Sequence, residues 1–309
     1  MSWSLSILKK LSKTVVFFGS GPVAAKSLQL LADDFEIEAI ITKPRPLNHR
    51  GDVPVITVAN NLEIPFYTAS NKDEVDALFL GASFKSELAI LIDFGIIVSR
   101  DVIDYFPLGI VNSHFSILPE WRGADPITFA ILSGQKTTGV SLMLVVEKMD
   151  EGPLLAYGEY GLTDDITTPE LTDELIKLSH ALLLQEIPRR KDPTPGSPQS
   201  TTGRKISYSR KLTKADGVID WQKSAVDIER EIRAFSGWPG SRTLLADKDV
   251  LLIEAHVVPT SGKPGEIFAS KDSLVVSTGK DGLAIDRLKP SGKPEMDIKS
   301  FLAGYGRLL

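Results

Sequence analysis

At 309 residues the chain is long enough for two domains of about 100–200 residues each. Its 42% hydrophobic and 24% charged residues suit a globular protein with a buried core. The absence of cysteine excludes disulfides, thiolate metal sites and a cysteine nucleophile. No apolar run reaches the roughly 18 residues of a membrane span, so no membrane partner is expected.

A net charge of −5 excludes a uniformly basic nucleic-acid binder, but the charge is uneven. Lys205–Leu309 holds 17 Lys+Arg and 14 Asp+Glu, a net of +3, which leaves 18 basic and 26 acidic residues elsewhere, a net of −8. Such asymmetry points to a nucleic-acid contact in the C-terminal part.

The first 13 residues, MSWSLSILKKLSK, read as a plain tail, because a targeting peptide would be longer and carry Arg. Thr14–Gly19 (TVVFFG) reads as a buried first strand. Gly19-Ser20-Gly21-Pro22 and a helical pattern through Leu31 follow it. The full G-x-G-x-x-G of a dinucleotide site is absent: position 24 is Ala, and no acid ends the second strand, Ile37–Thr42. Thr42–Gly51 is a long basic loop with Lys43, Arg45, His49 and Arg50, either functional or merely solvated. Asp52–Asn61 has strand propensity, Asp73–Leu80 is helical, and Leu88–Ile97 is an apolar run broken by Asp93.

Ile110–His114, Gly139–Val146 and Leu154–Tyr160 read as strands, Pro126–Ser133 has helical spacing, and Glu147–Gly152 is a turn. Thr168–Gln185 predicts an amphipathic helix with Thr168 as cap and Pro169 at its first position. Ile187–Arg204, with four Pro and two Gly, predicts a linker. Lys205–Arg210 is a possible strand and Ser224–Ala234 a charged amphipathic helix ending at Gly237-Trp238-Pro239-Gly240. Short runs at Ser241–Ala246, Val250–Val258, Gly265–Ala269, Ser273–Ser277 and Gly282–Leu288 then suggest a small barrel.

The chemistry concentrates in Val111–Pro126, VNSHFSILPEWRGADP, directly after an apolar run. Open α/β sheets carry their sites just outside the carboxyl ends of the strands. Asn112 and His114 are two apart, so on an extended segment both point to one side and can converge on one reacting atom. A strand end with a structural His is the alternative for the pair taken alone. Asp150 follows His114 by 36 residues, at the end of another strand, from which a carboxylate can orient the imidazole. The remaining histidines, His49, His180 and His256, have no metal-ligand spacing, and G-x-S-x-G is absent around Ser116.

Asn112-x-His114, Ser116-Ile117-Leu118-Pro119-x-x-Arg122-Gly123-x-x-Pro126 and Met149-Asp150-x-Gly152 together resemble the formyltransferases that use 10-formyltetrahydrofolate. The likeness runs from about Thr14 to the last strands and, within the family, is greatest to the branch whose acceptor is the amino group of initiator methionyl-tRNA. It implies a Rossmann-like α/β catalytic domain over 1–187 with a mainly parallel sheet, a linker over 188–204, and an OB-like barrel over 205–309. It also implies a helix, against propensity, at Asp52–Asn61.

By that likeness Asn112, His114 and Asp150 are the catalytic trio. Ser116, Ile117, Leu118 and Pro119 hold the folate through backbone groups, while Phe94 and Gly95 stand at its pterin pocket. Arg45 reaches the tRNA from a loop shorter and less Lys-rich than usual. Asp93 and Phe94 replace the family's Ala-Tyr, and the resemblance offers no reason for the acid. Ile219-Asp220-Trp221 and Ile232–Pro239 recur in several long formyltransferases and do not identify the acceptor. The resemblance further implies a protein of the bacterial cytoplasm, with an organelle as the alternative, that needs no metal; a monomer is expected. An amino-sugar nucleotide, or water, is the alternative acceptor.

Formyl transfer sets the requirements. An amine attacks the formyl carbon, negative charge grows on its oxygen, and a proton leaves the amine for the departing nitrogen. The Asn112 amide is a donor suited to that oxygen, and His114 is the side chain suited to moving the proton.

Overall fold

The structure, a computed structural model, describes residues 13–46 and 51–308. It divides into two units. One holds the described residues up to Gly123, with Thr138–Tyr160 and Asp173–Tyr208. The other holds Ala124–Thr137, Gly161–Thr172 and the described residues from Ser209 onward. The N-terminal tail and His49 lie outside the described residues.

In chain order the elements are β1 (Thr14–Gly19), α1 (Pro22–Asp34), β2 (Glu36–Thr42), α2 (Pro54–Asn61), β3 (Phe66–Thr68), α3 (Lys72–Leu80), β4 (Ala89–Ile92) and α4 (Arg100–Asp104). They continue with β5 (Ile110–His114), β6 (Arg122–Gly123), α5 (Pro126–Leu132), β7 (Thr137–Leu144), β8 (Leu154–Gly161), α6 (Thr168–Arg189) and β9 (Tyr208–Ser209). The last are α7 (Ala225–Ala234), β10 (Ser241–Leu245), β11 (Lys248–Val258), β12 (Ile267–Ala269), β13 (Leu274–Ser277), β14 (Gly282–Pro290), β15 (Met296–Asp297) and α8 (Ile298–Tyr305).

The first unit is built on a seven-stranded sheet of order β3-β2-β1-β4-β5-β7-β8. Strands β3 through β5 are parallel, and β7 joins β5 antiparallel. Parallel strands covered on both faces read as unbroken apolar runs, and Val15–Phe18 and Ile40–Ile41 are fully buried accordingly. Phe18 packs edge-on to Phe94 at 5.4 Å between ring centroids and lies parallel to Phe79 at 5.9 Å. The order reverses between β1 and β4, so the crevice of this Rossmann-like sheet opens there, at the carboxyl ends of the strands.

The second unit contains a six-stranded antiparallel sheet, β10-β11-β14-β13-β12 with β15 on β14, in the half-barrel form expected for a small barrel domain. Helices α7 and α8 bury Ile228, Ile232, Ile298, Phe301 and Leu302 with its apolar residues in one core. Among the described residues no helix is long and apolar enough to cross a membrane.

Local rules explain most of the elements, with three informative departures. Within Asp52–Asn61 the chain is helical from Pro54 despite its β-branched residues. Pro54 occupies the first turn, and Val55 and Ala59, one helical turn apart, are both buried. Helix α6 begins at the expected cap, Thr168, one residue earlier than expected. Thr167 is the cap, because the Glu170 carboxylate accepts from the Thr167 N–H at 2.9 Å, and Pro169 sits second in the helix. The Pro-rich stretch after α6 is not extended chain: it carries a short 3-10 turn at Gln199–Thr202 and pairs back on Leu154 through Ser197.

Candidate active site

Strand β5 places its side chains by pleating. Ser113 points to one face, where its Oγ lies 2.7 Å from Ser179 Oγ of α6. Its neighbours Asn112 and His114 therefore share the other face. Both are nearly buried, Asn112 at 8% and His114 at 7% exposure. The Asn112 carboxamide carries N–H donors of the kind that a bound carbonyl oxygen accepts from. His114 Nε2 lies 2.9 Å from the Trp121 carbonyl, and Nδ1 faces Asp150 Oδ1 at 3.8 Å. Both ring nitrogens thus look at acceptor oxygens. The second contact is longer than a hydrogen bond, as is common in a site without substrate.

Asp150 reaches this position by an indirect route. Because β7 runs antiparallel to β5, Leu144 pairs with Val111 and Ser141 with His114. Strand β7 therefore ends beside the start of β5, away from His114. The turn after it folds back over the sheet face to bring the carboxylate to the ring. Asp150 itself takes a left-handed φ of 53°. Gly152 allows the turn to close, since a Cβ there would stand 1.7 Å from the Leu144 carbonyl oxygen.

Two sets of contacts hold the turn. The Gly123 N–H donates to Asp150 Oδ2 at 2.7 Å. Gln199 donates through Nε2 to the carbonyls of Asp150 and Gly152, at 2.7 and 2.9 Å. Gln199 was not legible as a site residue. It lies in the stretch whose composition predicts a linker, and its contacts cross 47 to 77 residues of chain. Arg122 is a brace: Nη2 donates to Gln199 Oε1 at 2.7 Å, and Nη1 lies 3.4 Å from Glu151.

The run Ser116–Pro119 is tied down internally. Ser141 Oγ, across the ladder from His114, donates to the Ser116 carbonyl at 2.8 Å and accepts from Leu118 N–H at 2.9 Å. The Leu118 carbonyl accepts from Thr202 Oγ1, and the Pro119 carbonyl from Ser207 N–H. Ile117 and Leu118 are buried side chains. These backbone groups are committed within the chain. Phe94 is likewise buried, its ring in the core against Phe18. Gly95 has a φ of 62°, and Lys43 Nζ donates to its carbonyl at 3.0 Å. Arg45, exposed after β2, has no contact with the trio. Asp93 turns the chain with a φ of 47°, its carboxylate against the Gly21 backbone.

A donor amide, an imidazole and a carboxylate thus converge on one sheet face without a nucleophilic side chain among them. Such a set can stabilise an oxyanion and move a proton, which suits acyl transfer to an incoming amine.

Comparison with known proteins agrees with that chemistry. The chain is 33% identical over 298 residues to a methionyl-tRNA formyltransferase of Magnetococcus marinus, covering 94% of this chain and 95% of that protein. It is 32% identical over 312 residues to one of Listeria monocytogenes, covering 96% of each. Among solved structures, the fold is shared with an N-formyltransferase from Helicobacter canadensis in complex with folinic acid and dTDP-3-aminofucose, at a TM-score of 0.63 and 17% identity over 88% of this chain and 98% of that one. It is shared too with HypX from Aquifex aeolicus in complex with tetrahydrofolic acid, at a TM-score of 0.62 and 17% identity over 94% of this chain and 47% of that one. The Formyl transferase profile matches residues 13–187 and the Formyl transferase, C-terminal domain profile matches 211–306, so the chain belongs to the formyl transferase family.

Proposed function

We propose that this chain transfers the formyl group of 10-formyltetrahydrofolate to the amino group of initiator methionyl-tRNA. The observation that carries the reading is the convergence of Asn112, His114 and Asp150 at the carboxyl end of the interior strand β5, in a chain that aligns nearly end to end with proteins named for that acceptor. The formyl donor supplies an activated formyl carbon when bound. The Asn112 carboxamide on β5 suits such a group, and we take Ser116–Pro119, Phe94 and Gly95 as the residues that surround it.

The residues then divide the work. Asn112 donates to the formyl oxygen as charge develops there, a contribution of about 10²–10³ in rate for one preorganised donor. His114 takes the proton from the attacking amine and delivers it to the departing nitrogen. Asp150 keeps the ring oriented and balances the imidazolium formed on the way. All three lie within residues 13–187, which we take as the catalytic part, with the net-positive 205–309 segment as the acceptor platform. A cytoplasmic monomer goes with this reading.

The test is transfer of labelled formyl from 10-formyltetrahydrofolate to charged initiator methionyl-tRNA, with elongator methionyl-tRNA and an amino-sugar nucleotide in parallel. Label on the initiator alone supports the proposal. Label on the sugar, or release as formate, replaces the acceptor. The His114→Ala variant should lose about 10²–10⁴ in rate while keeping its circular dichroism spectrum; turnover at the parent rate would remove His114 from the mechanism.

A further inference from the structure

We propose that Gln199 is a positioning residue that sets Asp150, and through it His114, in the reacting geometry; this rests on the roles given to those two residues above. Gln199 is 7% exposed, and its amide is fully used. Both donor contacts go to the Asp150 turn, at the carbonyls of residues 150 and 152. The acceptor takes the Arg122 guanidinium, at 2.7 Å from Nη2 and 3.2 Å from Nε. Arg122 is followed by Gly123, whose N–H holds Asp150 Oδ2 at 2.7 Å. A closed ring results: the Asp150 backbone is tied to Gln199, Gln199 to Arg122, and the Arg122–Gly123 backbone to the Asp150 carboxylate.

The ring has a clear physical purpose. Asp150 sits on a turn at the wrong end of β7 for His114 and in a left-handed conformation that a non-glycine residue adopts at a cost. Nothing in β7 itself would hold the carboxylate over the ring. Glutamine is the side chain that fits, because one end must donate twice to carbonyls while the other accepts from a cation. The amide cannot flip without facing its oxygen to two carbonyls and its NH₂ to a guanidinium.

The experiment compares the parent, Gln199→Ala, Asp150→Asn and the double variant, with 10-formyltetrahydrofolate and methionyl-tRNA as substrates. Gln199→Ala should lower kcat by about 10–100-fold, the scale of a misplaced catalytic group. KM for both substrates should stay within about twofold. In the Asp150→Asn background the same change should alter kcat by less than about twofold, because the two residues act as one unit. Equal losses in both backgrounds, or none in either, would overturn the proposal.

If Gln199→Ala does not fold, Gln199→Glu replaces it. The acid keeps the length and the Arg122 contact but opposes the two carbonyls, and the same pattern is expected. A second readout needs no acceptor: the His114 ring resonance followed by NMR at a fixed pH, assigned with His114→Ala. Its chemical shift should differ between the parent and Gln199→Ala, and an unchanged shift would also overturn the proposal. If the parent formylates no methionyl-tRNA, the acceptor reading fails by itself, and the NMR spectrum decides the role of Gln199.

Discussion

Glu120, between the folded-in Pro119 and Trp121, is a carboxylate in an unfavourable place. Its Oε2 is buried without a hydrogen bond, with Arg204 Nη1 at 3.6 Å, close enough for attraction but too far to bond. Burial pushes its pKa above the ordinary value; Arg204 opposes the shift and Glu159 adds to it. An acid whose folded pKa is raised stabilises the fold when protonated, and that stability is lost as pH rises through the folded value. Glu120→Gln should therefore melt higher than the parent at pH 7, and the gap should close as the pH falls toward the ordinary value of 4.5. Melting curves across that range measure it, and equal melting points at both ends would contradict this account. At this scale Asn112, His114 and Asp150 were legible, because their residue types and spacing state a chemistry. Gln199 was not, because its role depends on contacts across 47 to 77 residues of chain.

The decisive element is the turn between β7 and β8. Its Met149-Asp150-x-Gly152 pattern is visible in the chain, yet the reason for the glycine is not. Only the structure shows the Leu144 carbonyl occupying the space a side chain would need. Gly152→Ala should cost about 3 kcal/mol of stability, because the clash is with backbone that cannot rotate away. Formyl transfer should fall further than stability alone requires, since the turn carries Asp150. Urea unfolding and a parallel activity assay test this; a variant as stable as the parent would show that the turn relaxes freely. The longer strands were readable from periodicity and apolar runs, but the short β3, β6 and β15 and the direction of β7 were not. Alternation is the same for parallel and antiparallel neighbours. Helix α2 shows the converse, where local β-propensity yields to a proline at the first turn and a buried face.

Across the whole molecule, the charge asymmetry and Arg45 lead to one expectation about the acceptor. A side chain contacting a phosphate contributes about one unit to the slope of log affinity against log salt. Arg45→Ala should weaken binding of methionyl-tRNA and lower that slope by about 1, while the affinity for 10-formyltetrahydrofolate stays unchanged. Filter binding between low and moderate salt reads both values, and an unchanged slope would take Arg45 out of the acceptor contact. The sequence by itself determined the apolar strands, the absence of cysteine and the residue types of the trio, which follow from local pattern and composition, and its resemblance to the family implied the class of the fold. Tertiary structure alone decided that β7 runs antiparallel to β5, that Phe94, Ile117 and Leu118 are buried, and that an apparent linker folds back onto the Asp150 turn. Those outcomes rest on hydrogen bonds and packing between segments distant in the chain, and no local pattern encodes which distant group will satisfy a buried carbonyl.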